Sequence, residues 1–182
     1  MQDCLTNHEP CISRQVDSSW RPTRLLDISN PSAAGLLGLA NCRLIDGTDA
    51  IPGHGYFTLS HRRGSSDIPR LTTKTIAQFR TAIPIASLPR TFVDFMHTAR
   101  RLDTRYIWID SLCIIQSGDD GADWLQEALA MDLVYKNASC NVSADWADGP
   151  QGLFFSTRLT AFRPGTNRPL RELEWTGHQK TV

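Results

Sequence analysis

The chain has 182 residues, 19 basic and 19 acidic side chains and a formal net charge of zero. That length supports one domain with a real core, and 41% hydrophobic with 21% charged residues is ordinary for a globular protein. The balanced charge offers no basic field for nucleic acid or an anionic membrane, and no window reaches the roughly 18 apolar residues of a membrane span. The five cysteines (Cys4, Cys11, Cys42, Cys113 and Cys140) are odd in number and form no C-x-x-C pair. This argues against a disulfide framework or a zinc ribbon and points to a reducing, cytoplasmic compartment. No charged segment followed by an apolar one opens the chain, so no secretory signal is read there.

Residues 1–20 are polar and aperiodic and read as a flexible N-terminal arm. Thr23–Ile28 predicts a short strand, broken by Asn30-Pro31. Cys42–Ile45 predicts a second, ended by Asp46-Gly47, a hairpin-turn signal. Tyr56–Ser60 predicts a third. Together these make an expected small antiparallel element feeding a main sheet. His61–Arg70 reads as a polar loop, and Thr72–Thr81 suits a short helix stopped by Pro84. Ser87 is the expected N-cap of the next helix, about Pro89–Leu102. There Leu88, Phe92, Phe95, Met96, Ala99 and Leu102 form one apolar stripe.

Arg105–Gln116 is the densest apolar run of the chain. Tyr106–Ile115 predicts a strand buried on both faces. Asp110 inside it requires either a partner or an opening to a cleft. Ser117–Gly121 is a turn, after which Asp120 or Asp123 caps a helix reaching about Asn137. Ser139–Ala144 predicts another strand. Leu153–Phe155 is expected to return to the core, and 159–182 reads as an irregular tail, with truncation from a longer protein left open. From Tyr56 onward the alternation of strands and helices favours an α/β sheet with parallel pairs. No dinucleotide-binding glycine motif, P-loop, H-E-x-x-H or G-x-S-x-G pattern is present.

Six blocks in order resemble the fungal heterokaryon incompatibility (HET) domain. They are Tyr56-x-x-Leu59-Ser60-His61, Leu71-Thr72-Thr73-Lys74-Thr75-Ile76, Leu88-Pro89-Arg90-Thr91-Phe92-x-Asp94, Tyr106 through Gln116, Trp124-x-x-Glu127-x-x-x-Met131-x-x-Val134-Tyr135-x-Asn137-Ala138, and Gly152-Leu153-Phe154. The resemblance spans about 56–158, within an expected domain of 21–158. One departure stands out: the family's first block usually continues Ser-His-Cys-Trp-Gly, whereas Arg62-Arg63 follows Ser60-His61 here. Two bulky cations in place of a thiol and an aromatic ring would remodel any pocket wall formed by that loop.

The resemblance implies a role in fungal non-self recognition and programmed cell death. The HET domain has been likened to Toll/interleukin-1 receptor (TIR) domains, which implies a flavodoxin-like, mostly parallel sheet flanked by helices. Some TIR domains cleave NAD with a glutamate in a Trp-x-x-Glu context, and Trp124-Leu125-Gln126-Glu127 looks like that arrangement. That likeness makes Glu127 the expected catalytic carboxylate; Asp110 and His61 complete the expected catalytic set by orienting the substrate, with Trp124, Ser60, Trp108 and Arg63 contacting NAD as substrate and no resident cofactor or metal expected. Each residue also has a structural reading. Glu127 is a first-turn acid favoured by the helix dipole. Asp110 is a buried acid on backbone amides, His61 a hydrogen-bonded structural residue, and the tryptophans core anchors. Cys113, in an apolar run, reads as a small hydrophobe. The competing readings are a non-enzymatic module that self-associates or recruits signalling partners, and an inactive truncated paralogue.

Overall fold

The computed structural model of the chain describes residues 20–29, 41–61 and 68–144. The arm before Trp20, the Arg62-Arg63 stretch, the Leu153–Phe155 return and the 159–182 tail lie outside the described residues. One six-stranded sheet organises the fold. Its strands are β1 (Arg24–Asp27), β2 (Asn41–Asp46), β3 (Tyr56–His61), β4 (Ile83–Pro84), β5 (Tyr106–Ile109) and β6 (Cys140–Ala144), in the order β4-β2-β1-β5-β3-β6. The helices are α1 (Ile76–Thr81), α2 (Arg90–Arg101), α3 (Asp110–Cys113), α4 (Ala122–Leu129) and α5 (Met131–Lys136).

The expected mostly parallel sheet is in fact mixed. β3 pairs in parallel with β5 and β6, whereas β1 pairs antiparallel with β2 and β5, and β2 antiparallel with β4. The N-terminal strands are thus half of the main sheet rather than a separate element. The reason lies in β1, whose four residues are all buried, with Leu25 and Leu26 fully so. A strand buried on both faces belongs inside a sheet, and β1 sits between β2 and β5.

Asp46-Gly47 does not close a hairpin. β2 runs into a 3-10 turn at Gly47–Asp49, and the next strand, β3, is not its neighbour. Gly47 is required for a different reason: its amide donates to the Thr23 carbonyl at 2.8 Å, and an added Cβ would lie 1.9 Å from the Pro22 carbonyl oxygen.

Helix α2 matches its amphipathic stripe, burying Phe92, Phe95, Met96 and Ala99. Ser87 does not cap it; that residue lies in a 3-10 turn, its hydroxyl bonded to the Pro84 carbonyl, and Pro89 takes the cap position. The expected long helix after Gly121 breaks at Ala130 into α4 and α5. Neither Asp120 nor Asp123 caps it. Asp119 does so, accepting from the Gly121 and Asp123 amides. The expected strand Tyr106–Ile115 ends at Ile109, and α3 follows as one helical turn. Leu112, Cys113 and Ile114 are as buried as the strand itself, so burial pattern alone could not separate the two.

At the far end of β1, Asp27 gathers three neighbours. Arg105 donates to both its carboxylate oxygens, the Ser29 amide donates at 3.0 Å, and Arg43 approaches to 3.5 Å. Burial by itself would raise the Asp27 pKa, but the bonds from Arg105 and Ser29 outweigh it and lower the value from 3.8 to about 2. A carboxylate with a lowered folded pKa stabilises the fold above its unfolded pKa. That contribution, about 2 kcal/mol, is lost as pH falls from about 4 through 2. Asp27→Asn is expected to lower the urea midpoint at pH 7 and to lose part of the wild-type decline between pH 4 and 2. Parallel pH profiles for the two proteins would refute the assignment.

Candidate functional site

The strand order reverses at β3. The chain leaving β3 passes first to the edge strand β4 and returns to β5 on one side of β3, and the chain leaving β5 crosses to β6 on the other. In open α/β sheets the crevice outside the carboxyl ends of strands at such a reversal is where ligands bind. Ser60 and His61 end β3 at this edge, and Asp110 is the first residue after β5.

These residues meet. His61 Nδ1 lies 3.7 Å from Asp110 Oδ1. The His61 ring, 5% exposed, packs edge-on against Phe92 at 4.8 Å between centroids. Asp110 is more open, its side chain 35% exposed. The Asp110 carboxylate accepts from the Ser111 amide at 2.6 Å, and its carbonyl accepts from the Ile114 amide, closing the α3 turn.

A strap formed by the Leu71-Thr72-Thr73 block braces that turn. Leu71 donates to the Ser111 carbonyl and accepts from the Gln116 amide, both at 2.8 Å, and the Thr73 amide donates to the Ser117 carbonyl. Gln116 Nε2 adds a bond to the Ile114 carbonyl at 3.0 Å. Gly118, at φ 98°, permits the close approach, since a Cβ there would sit 2.1 Å from Thr73 Oγ1.

Tyr135 of α5 walls this edge over Trp108, and in the sequence it stands out only within a family block. Burial is the main cause that raises its phenol pKa, the Asp110 charge adds to it and Ser60 opposes both, and its ring meets Trp108 edge-on at 5.9 Å. Trp108 is 1% exposed; it supports this wall from beneath and presents no free face for stacking. Helix α5 is held in place by the Tyr56 hydroxyl, which donates to the Val134 carbonyl at 2.6 Å, and by Asn141 Nδ2, which donates to the Tyr135 carbonyl.

Glu127 lies in a different set of contacts at the same sheet edge. The antiparallel register of β1 against β5 brings Arg24 to the carboxyl end of β5. Arg24 Nε donates to the Cys113 carbonyl at 2.6 Å, and Nη2 contacts both Asp123 oxygens at 2.6 Å. Asp123 also accepts from the Ile115 amide. Glu127, 3% exposed, places Oε1 3.7 Å from Arg24 Nη2, and that oxygen accepts no hydrogen bond. The two carboxylates therefore share one guanidinium, on the flank of α3 that adjoins β1. Asp110 and His61 occupy the flank that adjoins β3.

Trp124 is 52% exposed, beside Leu125 at 62% and Leu129 at 81%. Arg63 lies outside the described residues. Burial raises the Cys113 thiol to about 12, so at neutral pH it is a protonated core side chain rather than a nucleophile. Among the described residues, no group of three His, Cys, Asp or Glu is placed to hold a metal ion, and no helix is long and apolar enough to cross a membrane.

The shared guanidinium has a measurable consequence. Arg24→Ala strands two carboxylates in a poorly solvated cluster and is expected to cost about 3 kcal/mol or more. Glu127→Gln leaves the Arg24–Asp123 bridge intact and should cost about 1 kcal/mol. Urea unfolding of both variants checks this, and equal losses would contradict the shared arrangement.

A model of the family described as Heterokaryon incompatibility protein (HET) matches residues 56–180, more than half of the chain. No curated protein and no solved structure matches it. The matched span holds β3, β5, β6, the strap and the carboxylates Asp110, Asp123 and Glu127, with Arg24 lying before it, and the chain belongs to the heterokaryon incompatibility (HET) family.

Proposed function

We propose that this HET domain acts in fungal non-self recognition as a cell-death effector that cleaves the nicotinamide–ribose bond of NAD in the crevice at the end of β3. The observation that carries this reading is the partly open Asp110 carboxylate beside His61 at the strand-order reversal. Cleavage breaks the bond between the ribose C1′ and the nicotinamide nitrogen, and the bonding electrons leave with neutral nicotinamide. The ribose gains oxocarbenium character, which a nearby carboxylate stabilises, as in glycoside hydrolysis. Water then adds to C1′ and releases a proton, giving ADP-ribose. Asp110 is placed to face the developing cation, with His61 positioned to orient that carboxylate and to receive the proton. Ser60 contributes a hydroxyl at the strand end. In this reading Glu127 holds α4 against β1, because direct attack by it would require Arg24 to release it.

A second reading rests on a separate observation. Trp124, Leu125 and Leu129 expose an apolar surface on α4, which suits an intracellular module that self-associates or recruits signalling proteins. The two readings make different demands on Asp110.

Purified chain incubated with NAD is expected to release nicotinamide. Asp110→Asn should lower kcat by about 100-fold or more, with Glu127→Gln losing far less once corrected for the folded fraction. No nicotinamide release at any protein concentration, together with full cell toxicity in Asp110→Asn, would overturn the enzymatic reading and favour the association module.

A further inference from the structure

The far end of the sheet holds a second cluster of charged groups, which the chemistry at Asp110 does not use. Asp27 pairs with Tyr106, the first residue of β5, whereas Asp110 follows the last, so the two places lie at opposite ends of that strand. Beside Asp27 a cavity of about 310 Å³ opens between β2 and the end of α1, with Ser29, Asn41, Arg43 and Thr81 also in its wall. All of these but Thr81 precede the family match, which begins at Tyr56.

Three guanidiniums gather around one carboxylate here. Arg105 donates to Asp27 Oδ1 at 3.2 Å and to Oδ2 at 2.9 Å, and Arg43 reaches Oδ2 at 3.5 Å. Arg100 donates to the carbonyl of Ile28, the next residue, at 2.8 Å. With the Ser29 amide on Oδ1, four donors fill the acceptor sites of the carboxylate. A cationic ligand would therefore have to displace Arg105. The unspent capacity lies in donors. The Arg43 side chain is 56% exposed and its contact with Asp27 is long, a pairing worth little to the fold. Most of its five N–H groups remain for a ligand, and Asn41 adds a side-chain amide to the same wall.

Charge selects the ligand class. Three positive groups against one negative leave a surplus of two. A phosphate monoester, close to doubly charged at neutral pH, balances that surplus, whereas a carboxylate leaves half of it unmet. The guanidinium fork also matches two phosphate oxygens at once. The volume, at the lower end of small-molecule sites, leaves room for an organic group beyond the phosphate.

We propose that this cavity binds the phosphoryl group of a small phosphate monoester, with Arg43 as the bidentate partner and Asn41 as a second donor.

The test uses the full chain and inorganic phosphate as probe, titrated at mildly alkaline pH and low salt against acetate at matched ionic strength. Binding is followed by NMR through the Asn41 side-chain amide and the Arg43 Nε–Hε signal. Wild type is expected to bind phosphate about tenfold or more tightly than acetate, and Arg43→Ala to lose about tenfold for phosphate. Arg43→Lys should recover only part of the loss, because an ammonium keeps the charge without the fork. Arg43 is exposed, so its variants should keep the wild-type urea midpoint, and the affinities compare folded proteins. Equal binding of phosphate and acetate, unchanged phosphate affinity in Arg43→Ala, or shifts confined to the Asp110 end of β5 would each overturn the proposal.

Discussion

When the chain leaves β5 at Ile109 it turns at once, and the 2.6 Å bond from the Ser111 amide to the Asp110 carboxylate begins that turn. Much of the sheet edge depends on this geometry. The turn sets the Ser111 and Ile114 carbonyls that anchor the strap and Gln116. It sets the Cys113 carbonyl that receives Arg24. It also directs Asp110 toward His61. A carboxylate at the start of a helical turn satisfies an amide that would otherwise lack a partner. The residue that looked awkward inside an apolar run is what ends the strand.

The elements most legible in the sequence were those with a strong period or strong flanking breaks. α2 shows a clean apolar stripe between Pro89 and Leu102, and β3 begins after a glycine-rich turn. Two of the errors come from contacts remote in sequence and two from local ambiguity. Nothing near Asp46-Gly47 reveals that β2 lies between β1 and β4, or that Pro22 crowds Gly47. The break at Ala130 carries no proline or glycine. The capping role of Asp119 was obscured by four other acids or glycines within four residues, Gly118, Asp120, Gly121 and Asp123. The site was legible in part: Asp110, His61 and Ser60 converge, whereas Tyr135 reads in sequence like any other apolar helix position.

Glu127 shows how one motif accommodates two physical situations. In sequence it reads as a first-turn acid shortly after an aromatic residue, but α4 starts at Ala122 and its first-turn acid is Asp123, so helix polarity does not account for Glu127. In the fold it faces inward, where a desolvated carboxylate needs a cation. Arg24 supplies that cation from a strand roughly a hundred residues earlier in the chain. The guanidinium fork suits this task because it can reach a carbonyl and two carboxylates at once, which a lysine ammonium does less well.

The position of β1 separates two boundaries that are easily equated. The family match begins at Tyr56, yet β1 lies between β2 and β5, with Leu25 and Leu26 fully buried. A gene cut at Tyr56 would retain every matched block and still leave the side of β5 that pairs with β1 as an open, apolar edge, a template for aggregation. Homology and foldability thus end at different places in this chain. The segment before Tyr56 has to be inherited together with the motif-bearing half, to which Arg24 and Asp27 are tied by ion pairs with Asp123 and Arg105.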